Sequence, residues 1–239
     1  MVMEDDDLAP VPFALLTGDD GRPLGETHAV MHCIRRAGSE QQHITPASKA
    51  LMIAEPESAA GAGPASASLS DAIAEARAAA GQFTDHRLLE SGQANPAGVR
   101  AIASGIEIFH FAGHGFSQGG EGALGLRDSL FGASEISAID WRACRLAVLS
   151  ACLTAPGEPR GVVNPDSLVR AFLNSGAHNV VAAAWSVDSR ATRMLMDTLY
   201  PRLVAGATPA EALQAAQKAM RADPEFRHPY YWGAFQLYE

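Results

Sequence analysis

A histidine and a cysteine each end an apolar segment of this chain, and together they have the chemistry of a cysteine hydrolase. The segment 106–115 carries His114 between two glycines, and the segment 145–152 ends on Cys152. Both segments have the composition of buried strands. An imidazole beside a thiol raises the fraction of thiolate, which is the form that attacks a carbonyl carbon. We therefore treat His114 as a candidate general base and Cys152 as a candidate nucleophile.

The elements around these residues are expected to place both at one edge of a sheet. Apolar strands alternate with helices from residue 50 onward, which predicts an α/β fold with a mostly parallel sheet covered on both faces. Ligands of such sheets bind beyond the carboxyl ends of the strands. The backbone N–H groups of Gly115 and Cys152 are candidate donors for an oxyanion at that edge.

Each candidate also has a structural explanation. A cysteine at the end of an apolar strand is often an inert buried thiol, and a histidine beside glycines is often a turn residue. We interpret Cys33 and Cys144 as structural. Asp188 follows a third apolar strand, where it would either face a substrate or cap the helix that begins at Ser189.

The spacing of the histidines disfavours a metal site. His110 and His114 are four residues apart, but on an extended segment that separation is roughly 13 Å, too far for one ion. The three cysteines form no CxxC pair, and no HExxH sequence occurs. We therefore expect neither a metal nor a cofactor.

Composition and charge disfavour several classes of protein. The chain has 239 residues, of which 47% are hydrophobic and 19% charged, enough for one α/β domain or two small ones. A net charge of −9 without a basic patch disfavours direct binding of nucleic acid. No apolar run reaches the ~18 residues of a membrane helix, and the acidic N-terminus lacks a signal-peptide pattern. We expect a cytoplasmic protein with free thiols.

The two motifs resemble those of a known family. The sequences HFAGHG at 110–115 and LSACLT at 149–154 are similar to the two catalytic motifs of CHAT-domain proteases, which are caspase-like cysteine peptidases related to separase. Further blocks of the family are resembled, in the same order, by the segments 167–177, 180–187, 208–213 and 228–235.

The resemblance implies a fold and a set of site residues. The fold is caspase-like, with a mostly parallel six-stranded sheet between helices. His114 is implied as general base and Cys152 as nucleophile, with an oxyanion hole from the backbone of Gly115 and Cys152. Asp188 is the candidate for the S1 pocket, where an acid would favour basic P1 residues.

The chain is expected to consist of a short extension and one domain. Residues 1–45 would form a small N-terminal β extension, with strands at 11–17 and 27–34, and residues 46–239 the peptidase domain. The glycine-rich segment 116–132 is expected to be a loop that walls a substrate groove.

The favoured interpretation is an endopeptidase that cleaves a protein substrate through a thioester acyl-enzyme. The resemblance implies a bacterial defence or cell-death pathway in which a sensor or a helical-repeat partner activates the protease, and we expect the isolated chain to be latent. The alternative is a catalytically silent scaffold that docks a partner protein through loops at 116–135 and 153–165. Hydrolysis of a small amide or ester is a third option.

Overall fold

One sheet with helices on both faces organises the computed structural model. It describes residues 2–3, 11–34, 43–55, 70–90, 93–118, 121–127, 129–153, 166–186 and 188–239. The strands are β1 (Val2–Met3), β2 (His32–Cys33), β3 (Ala50–Glu55), β4 (His86–Glu90), β5 (Ile108–Gln118), β6 (Glu121–Leu126), β7 (Ser129–Gly132), β8 (Leu146–Leu153), β9 (Val180–Ala183) and β10 (Phe235–Tyr238). The helices are α1 (Leu24–Thr27), α2 (Ser70–Ala80), α3 (Pro96–Ala103), α4 (Ala133–Ser137), α5 (Asp166–Asn174), α6 (Ser189–Val204), α7 (Pro209–Ala222) and α8 (Pro229–Trp232).

The sheet is mostly parallel, which confirms the predicted fold class. Its strands follow the order β1-β2-β10-β9-β8-β5-β3-β4, and β10 is antiparallel to β9. The described residues form ten strands rather than the expected six. The row from β10 to β4 accounts for six of them, while β1, β2 and the hairpin β6–β7 are additions to it.

Two apolar cores lie on the two faces of the sheet. Helices α2, α6 and α7 cover one face, to which they contribute residues such as Ala76, Leu195 and Ala216. Helices α3, α4 and α5 cover the other, where Phe172 is fully buried. Because side chains alternate along a strand, one set of strands supplies both cores. The carboxyl ends of β5 and β8 are thereby held from both sides.

The aromatic cluster beneath β5 gives a prediction for stability. The ring of Phe172 lies 4.7 Å from the ring of Trp141 and 5.2 Å from that of Phe109, centroid to centroid. We expect Phe172→Ala to lower the free energy of unfolding by about 3–5 kcal/mol, because the cluster cannot close the cavity. Denaturant unfolding measures the change. Phe172→Leu, which removes less volume, should cost less than half as much, and equal costs would contradict the packing argument.

The prediction of two N-terminal strands spanning 11–17 and 27–34 is wrong. The first region forms a 3₁₀ helix at Phe13–Leu15, and the second contains only the end of α1 and the two-residue strand β2. Proline precedes both helices, and its fixed φ favours a helix start. The extension nevertheless joins the sheet, because β2 pairs in parallel with β10.

The glycine-rich segment after His114 is a hairpin rather than a loop. β5 continues as far as Gln118, and β6 and β7 then form two antiparallel ladders. The strand that pairs with this side of β5 changes along its length. β3 pairs with β5 up to Gly113, and β6 pairs with it from Gly115 onward. The other predicted loop, 153–165, lies outside the described residues except for Leu153, which ends β8.

None of the helices described above is both long enough and apolar enough to cross a lipid bilayer.

Candidate active site

Strands β5 and β8 bring His114 and Cys152 to adjacent positions. The two strands are parallel and in register from Ile108 to Gly115, and in this ladder His114 lies opposite Cys152. Neighbouring strands are about 4.8 Å apart. The two residues that the sequence singled out, 38 positions apart in the chain, are therefore direct neighbours across the sheet.

The two positions also share one face of the sheet. Opposed positions of neighbouring parallel strands lie on the same face, and that face alternates with each residue. Ala112, two residues before His114, packs in the core beneath α2 and α6. His114 itself is half-buried. The candidate base and the register position of the candidate nucleophile therefore lie at the end of the face that α2 and α6 cover.

The backbone amides of the two candidate oxyanion donors, Gly115 and Cys152, both point between β5 and β8. At the start of the ladder, the amide of Leu146 donates to the carbonyl oxygen of Glu107, so even-numbered amides of β8 face β5. By the same alternation, odd-numbered amides of β5 face β8. The ladder stays in register as far as Gly115, so the amide of Gly115 faces β8 and the amide of Cys152 faces β5. Both amides are thereby directed between the two strands, where a parallel ladder uses them for its own hydrogen bonds.

The hairpin forms a close-packed wall beside His114. A side chain at Gly125 would collide with the Phe116 ring, and its Cβ would lie only 3.1 Å from the carbonyl oxygen of His114. At Gly122 the backbone amide donates to the Ser167 hydroxyl at 2.7 Å, which fastens β6 to the first turn of α5. The glycines therefore serve close packing of strands rather than the freedom of a loop.

A cavity lies directly below the paired residues, between α2 and α6. It offers about 30 Å³ of space to water-sized molecules. Its lining includes Ala112 and Gly113 just before His114, and Ser150 and Ala151 just before Cys152. The cavity therefore reaches the carboxyl edge of the sheet at the candidate dyad.

Glu75, His110 and Tyr200 form a buried polar chain behind this cavity. Their exposures are 3%, 0% and 1%. The Tyr200 hydroxyl lies 2.9 Å from His110 Nδ1, and His110 Nε2 lies 3.2 Å from Glu75 Oε1. Burial, with the Glu75 carboxylate adding to it, raises the pKa of Tyr200 well above its ordinary value. The phenol therefore stays protonated, and it donates to Nδ1 or accepts from it according to the tautomer of His110.

Asp188 is exposed and caps α6. Its Oδ1 accepts hydrogen bonds from the backbone N–H groups of Arg190 and Ala191. Just before it, Trp185 donates its ring N–H to the carbonyl oxygen of Tyr230, whose hydroxyl donates to the Ser186 carbonyl oxygen. The rim that carries Asp188 is thus tied to α8, and one carboxylate oxygen of Asp188 is occupied by capping.

The two cysteines interpreted as structural are both buried. Burial raises the pKa of the Cys144 thiol to about 12, so this thiol stays protonated at neutral pH. Cys33 is buried in β2. Neither has the exposure of a reactive thiol.

Within the described ranges, no group of three or more histidine, cysteine or acidic side chains is arranged to hold a metal ion. His110, one of the two histidines considered above as a ligand pair, has its two ring nitrogens near Tyr200 and Glu75.

Sequence reasoning missed Glu75, Tyr200 and Gly125. A signal for Glu75 existed, because it stands between Ala72, Ala76 and Ala79, which form the buried face of α2. An acid on the apolar face of a helix is unusual and marks a buried partner or a site. Tyr200 carries no such signal, since it is one of several apolar-face residues of α6.

Comparison with known proteins identifies the family. The sequence model of the CHAT domain matches residues 1–239. Tetratricopeptide repeat protein 28 of Mus musculus is 34% identical over 105 residues, which is 43% of this chain and 4% of that protein; the Homo sapiens protein is 31% identical over the same length. The chain thus corresponds to a small part of these curated relatives.

Among solved structures, the fold is similar to that of gingipains. The Arg-specific cysteine proteinase gingipain R aligns with a TM-score of 0.52 at 15% identity, over 83% of this chain and 48% of that one. The complex of the RgpB pro- and mature domains from Porphyromonas gingivalis gives 0.55 at 14%, over 83% and 49%. This likeness shows the caspase-like fold. Because the family model extends over the whole sequence, the chain belongs to the CHAT domain family.

Proposed function

We propose that this chain is a cysteine endopeptidase in which His114 is the general base and Cys152 the nucleophile. The observation that carries the proposal is the register of β5 and β8, which sets the two residues opposite each other at the carboxyl edge of the sheet. The family and the caspase-like fold support the same activity.

The proposed reaction proceeds in two steps. His114 takes the thiol proton of Cys152, the sulfur attacks the carbonyl carbon of the scissile peptide bond, and the imidazolium returns the proton to the leaving amine. Water then hydrolyses the thioester with His114 again as base, which regenerates the thiol and releases the carboxylate. The family resemblance implies the amides of Gly115 and Cys152 as donors to the oxyanion in both steps, for which both amides would have to leave the ladder between β5 and β8.

The substrate is proposed to be a polypeptide. The site lies at the carboxyl edge of the sheet with the hairpin β6–β7 as a wall on one side, and an extended chain could bind along this wall. Asp188 is kept as a candidate substrate-binding residue on the rim, because one of its carboxylate oxygens is not used in capping.

The wider setting is proposed from the family and the relatives. Residues 46–239 would be the peptidase domain and 1–45 an extension, which the pairing of β2 with β10 supports. The curated relatives are named for tetratricopeptide repeats, which supports an activating partner or sensor built from helical repeats. A cytoplasmic role in bacterial defence or cell death, with latency of the isolated chain, belongs to the same proposal.

Covalent labelling tests the proposal. We expect a peptidyl acyloxymethyl ketone to alkylate Cys152 and to leave Cys33 and Cys144 unmodified, because both are buried. Mass spectrometry of the digested protein locates the label, and His114→Ala should slow the labelling strongly. The scaffold alternative would be favoured if Cys152 stayed unlabelled in the folded chain, even in the presence of host proteins. In that case all three cysteines would be labelled equally, and only after denaturation.

A further inference from the structure

A polar pocket separate from the candidate dyad lies where α1 meets the last turns of α7. Its lining consists of Arg22, Glu26, Lys218, Arg221 and Ala222, so three of its four charged side chains are cations. The pocket offers about 440 Å³ of space to water-sized molecules, against about 30 Å³ in the cavity below the dyad. It therefore has both the room and the charge to receive an acidic group.

One carboxylate holds two of these cations in place. Glu26 Oε1 lies 3.0 Å from Arg22 Nη2, and Glu26 Oε2 lies 2.9 Å from Arg221 Nη1. The Arg221 guanidinium also stacks over the ring of Trp232, 5.2 Å from the ring centroid. An arginine that is already fixed on two sides loses little side-chain entropy when it binds a further anion, and its five N–H donors exceed what these contacts use.

The acids nearby do not balance the cations of the pocket. Glu26 is the single acid of the lining, and it already pairs with two arginines. Lys218 is exposed and, within the described ranges, has no ion-pair partner. Asp20 accepts a hydrogen bond from the amide of Arg22 at 3.0 Å and lies outside the lining. The pocket therefore keeps an excess of positive charge, in a chain whose net charge is −9.

Two exposed leucines belong to the same small element as these cations. Leu16, Leu24 and Tyr230 are the exposed large hydrophobic residues of the described ranges, and the two leucines are 44% and 36% exposed. They lie on neighbouring chain segments, because the amide of Leu24 donates to the carbonyl oxygen of Leu16 at 2.8 Å. Leu24 also stands between Arg22 and Glu26 in the sequence. Grouped apolar exposure beside charge is typical of a protein interaction surface, whereas single exposed leucines are ordinary.

We propose that this part of the chain binds an acidic amphipathic helix of a partner protein. We call it the α1 surface, and its residues are Leu16, Arg22, Leu24, Lys218 and Arg221. Acidic side chains of the partner complement the pocket, and an apolar stripe complements the leucines. A helix presents both, since residues three and four apart share one face and the neighbouring face can carry the acids. The α1 surface does not include the dyad, so the inference does not rest on the proposed peptidase function.

Other anionic partners fit the α1 surface less well. A nucleic acid would bring a charge on every phosphate towards a chain of net charge −9, and its backbone has no apolar stripe for the leucines. A small free anion would use the pocket but not the leucines. An acidic helix uses both parts, because its charges steer association while its apolar contacts add affinity.

Peptide binding tests the proposal with the full chain. The probes are acetyl-EEALEEALEEAL-amide, its basic counterpart acetyl-KKALKKALKKAL-amide, and acetyl-EEAAEEAAEEAA-amide, which lacks the leucines. Each carries a fluorescent label, and fluorescence anisotropy gives the affinities. We expect the acidic leucine peptide to bind at least about tenfold more tightly than either counterpart. Its affinity should also fall as salt is added, because exposed charges are screened.

Variants of the chain locate the binding. Lys218→Glu and Arg221→Glu should each weaken binding of the acidic leucine peptide by about tenfold or more, because attraction becomes repulsion. Leu24→Gln should weaken binding by about 3- to 10-fold without changing its salt dependence, because only apolar contact is lost. Arg87→Glu is the matched control, since it changes the net charge equally but lies on β4, at the opposite end of the sheet. It should change the affinity less than about twofold.

Every outcome bears on the α1 surface. Equal weakening by Arg87→Glu and Lys218→Glu would indicate a general effect of net charge and would overturn the proposal. Equal affinity for the acidic and basic peptides, or no binding of the acidic leucine peptide, would overturn it as well. Light scattering tests the remaining occupant: a wild-type dimer that Leu24→Gln converts to a monomer would show that a second copy of this chain covers the surface instead. Circular dichroism verifies that each variant is folded, and Lys218→Glu, at an exposed and unpaired position, keeps the test valid if Arg221→Glu is not.

Discussion

Cys152→Ala is expected to abolish peptide cleavage and to leave the folded structure unchanged. Without the sulfur no thioester can form, and neither His114 nor the nearby backbone amides can replace it. We expect kcat/KM to fall by at least about 10³-fold, as for other nucleophile deletions. The loss is measured with the purified chain, together with any activating partner that it requires, on a fluorogenic peptide. Circular dichroism and denaturant unfolding establish that the fold persists.

The other cysteines supply matched controls. Cys144→Ala and Cys33→Ala remove a thiol of the same size from buried positions, one in the turn before β8 and one in β2, away from the carboxyl edge of β5 and β8. Both should keep activity close to that of the wild type once the folded fraction is taken into account. Cleavage by Cys152→Ala at the wild-type rate, or a loss shared equally by all three variants, would refute the assignment of the nucleophile.

His114→Ala is expected to lower cleavage by about 10²- to 10⁴-fold, the usual contribution of a positioned general base. The remaining activity of this variant should also depend on pH differently from that of the wild type. A thiol without an imidazole neighbour ionises near its ordinary pKa of about 8.5, so the fraction of thiolate rises as the pH rises towards that value. The variant should therefore gain activity steadily between neutral and alkaline pH, which a merely misfolded protein would not do. Rates of alkylation and of peptide cleavage across this range measure the effect.

His178 is the control for this second variant. It stands just before β9, at the opposite edge of the sheet from the dyad, and its Nε2 contacts the Arg142 carbonyl oxygen. His178→Gln should leave both the rate and the pH profile unchanged. An His114→Ala protein that is folded and cleaves with the wild-type pH profile would show that another group is the base.

The central part of the fold could be predicted because its strands are apolar and uninterrupted. The segments that became β5 and β8 are continuous apolar runs, and this composition fixes them as buried strands before any contact is known. That His114 and Cys152 lie at one edge of the sheet followed from the α/β pattern together with the family resemblance. The register itself was not predictable from composition, since sliding one strand by a residue changes every pair.

The prediction of strands in the N-terminal region failed for a local reason. The apolar segments at 11–17 and 27–34 are too short to distinguish a strand from a helical turn by periodicity. Pro12 and Pro23 decide the matter, because proline sets the backbone that starts a helix and removes an amide that a strand would use. The hairpin was missed because glycine usually signals a loop, whereas Gly125 is required by the close approach of Phe116.

The buried chain of Glu75, His110 and Tyr200 could not be predicted from the sequence. Tyr200 and His110 are 90 residues apart, and their contact exists only because α6 crosses the face of β5. Nothing local to either residue specifies the other. The lone acid on the apolar face of α2 was visible, but only the packing shows what surrounds it.

The bond between Ser167 and Gly122 has a mechanical consequence. Ser167 stands at the beginning of α5, where the chain that leaves Cys152 re-enters the described structure, and Gly122 belongs to the hairpin that continues from His114. This 2.7 Å hydrogen bond links the first turn of α5 to β6, and β6 pairs with β5, the strand that bears His114. A displacement of the first turn of α5 is therefore passed to the hairpin that continues from His114.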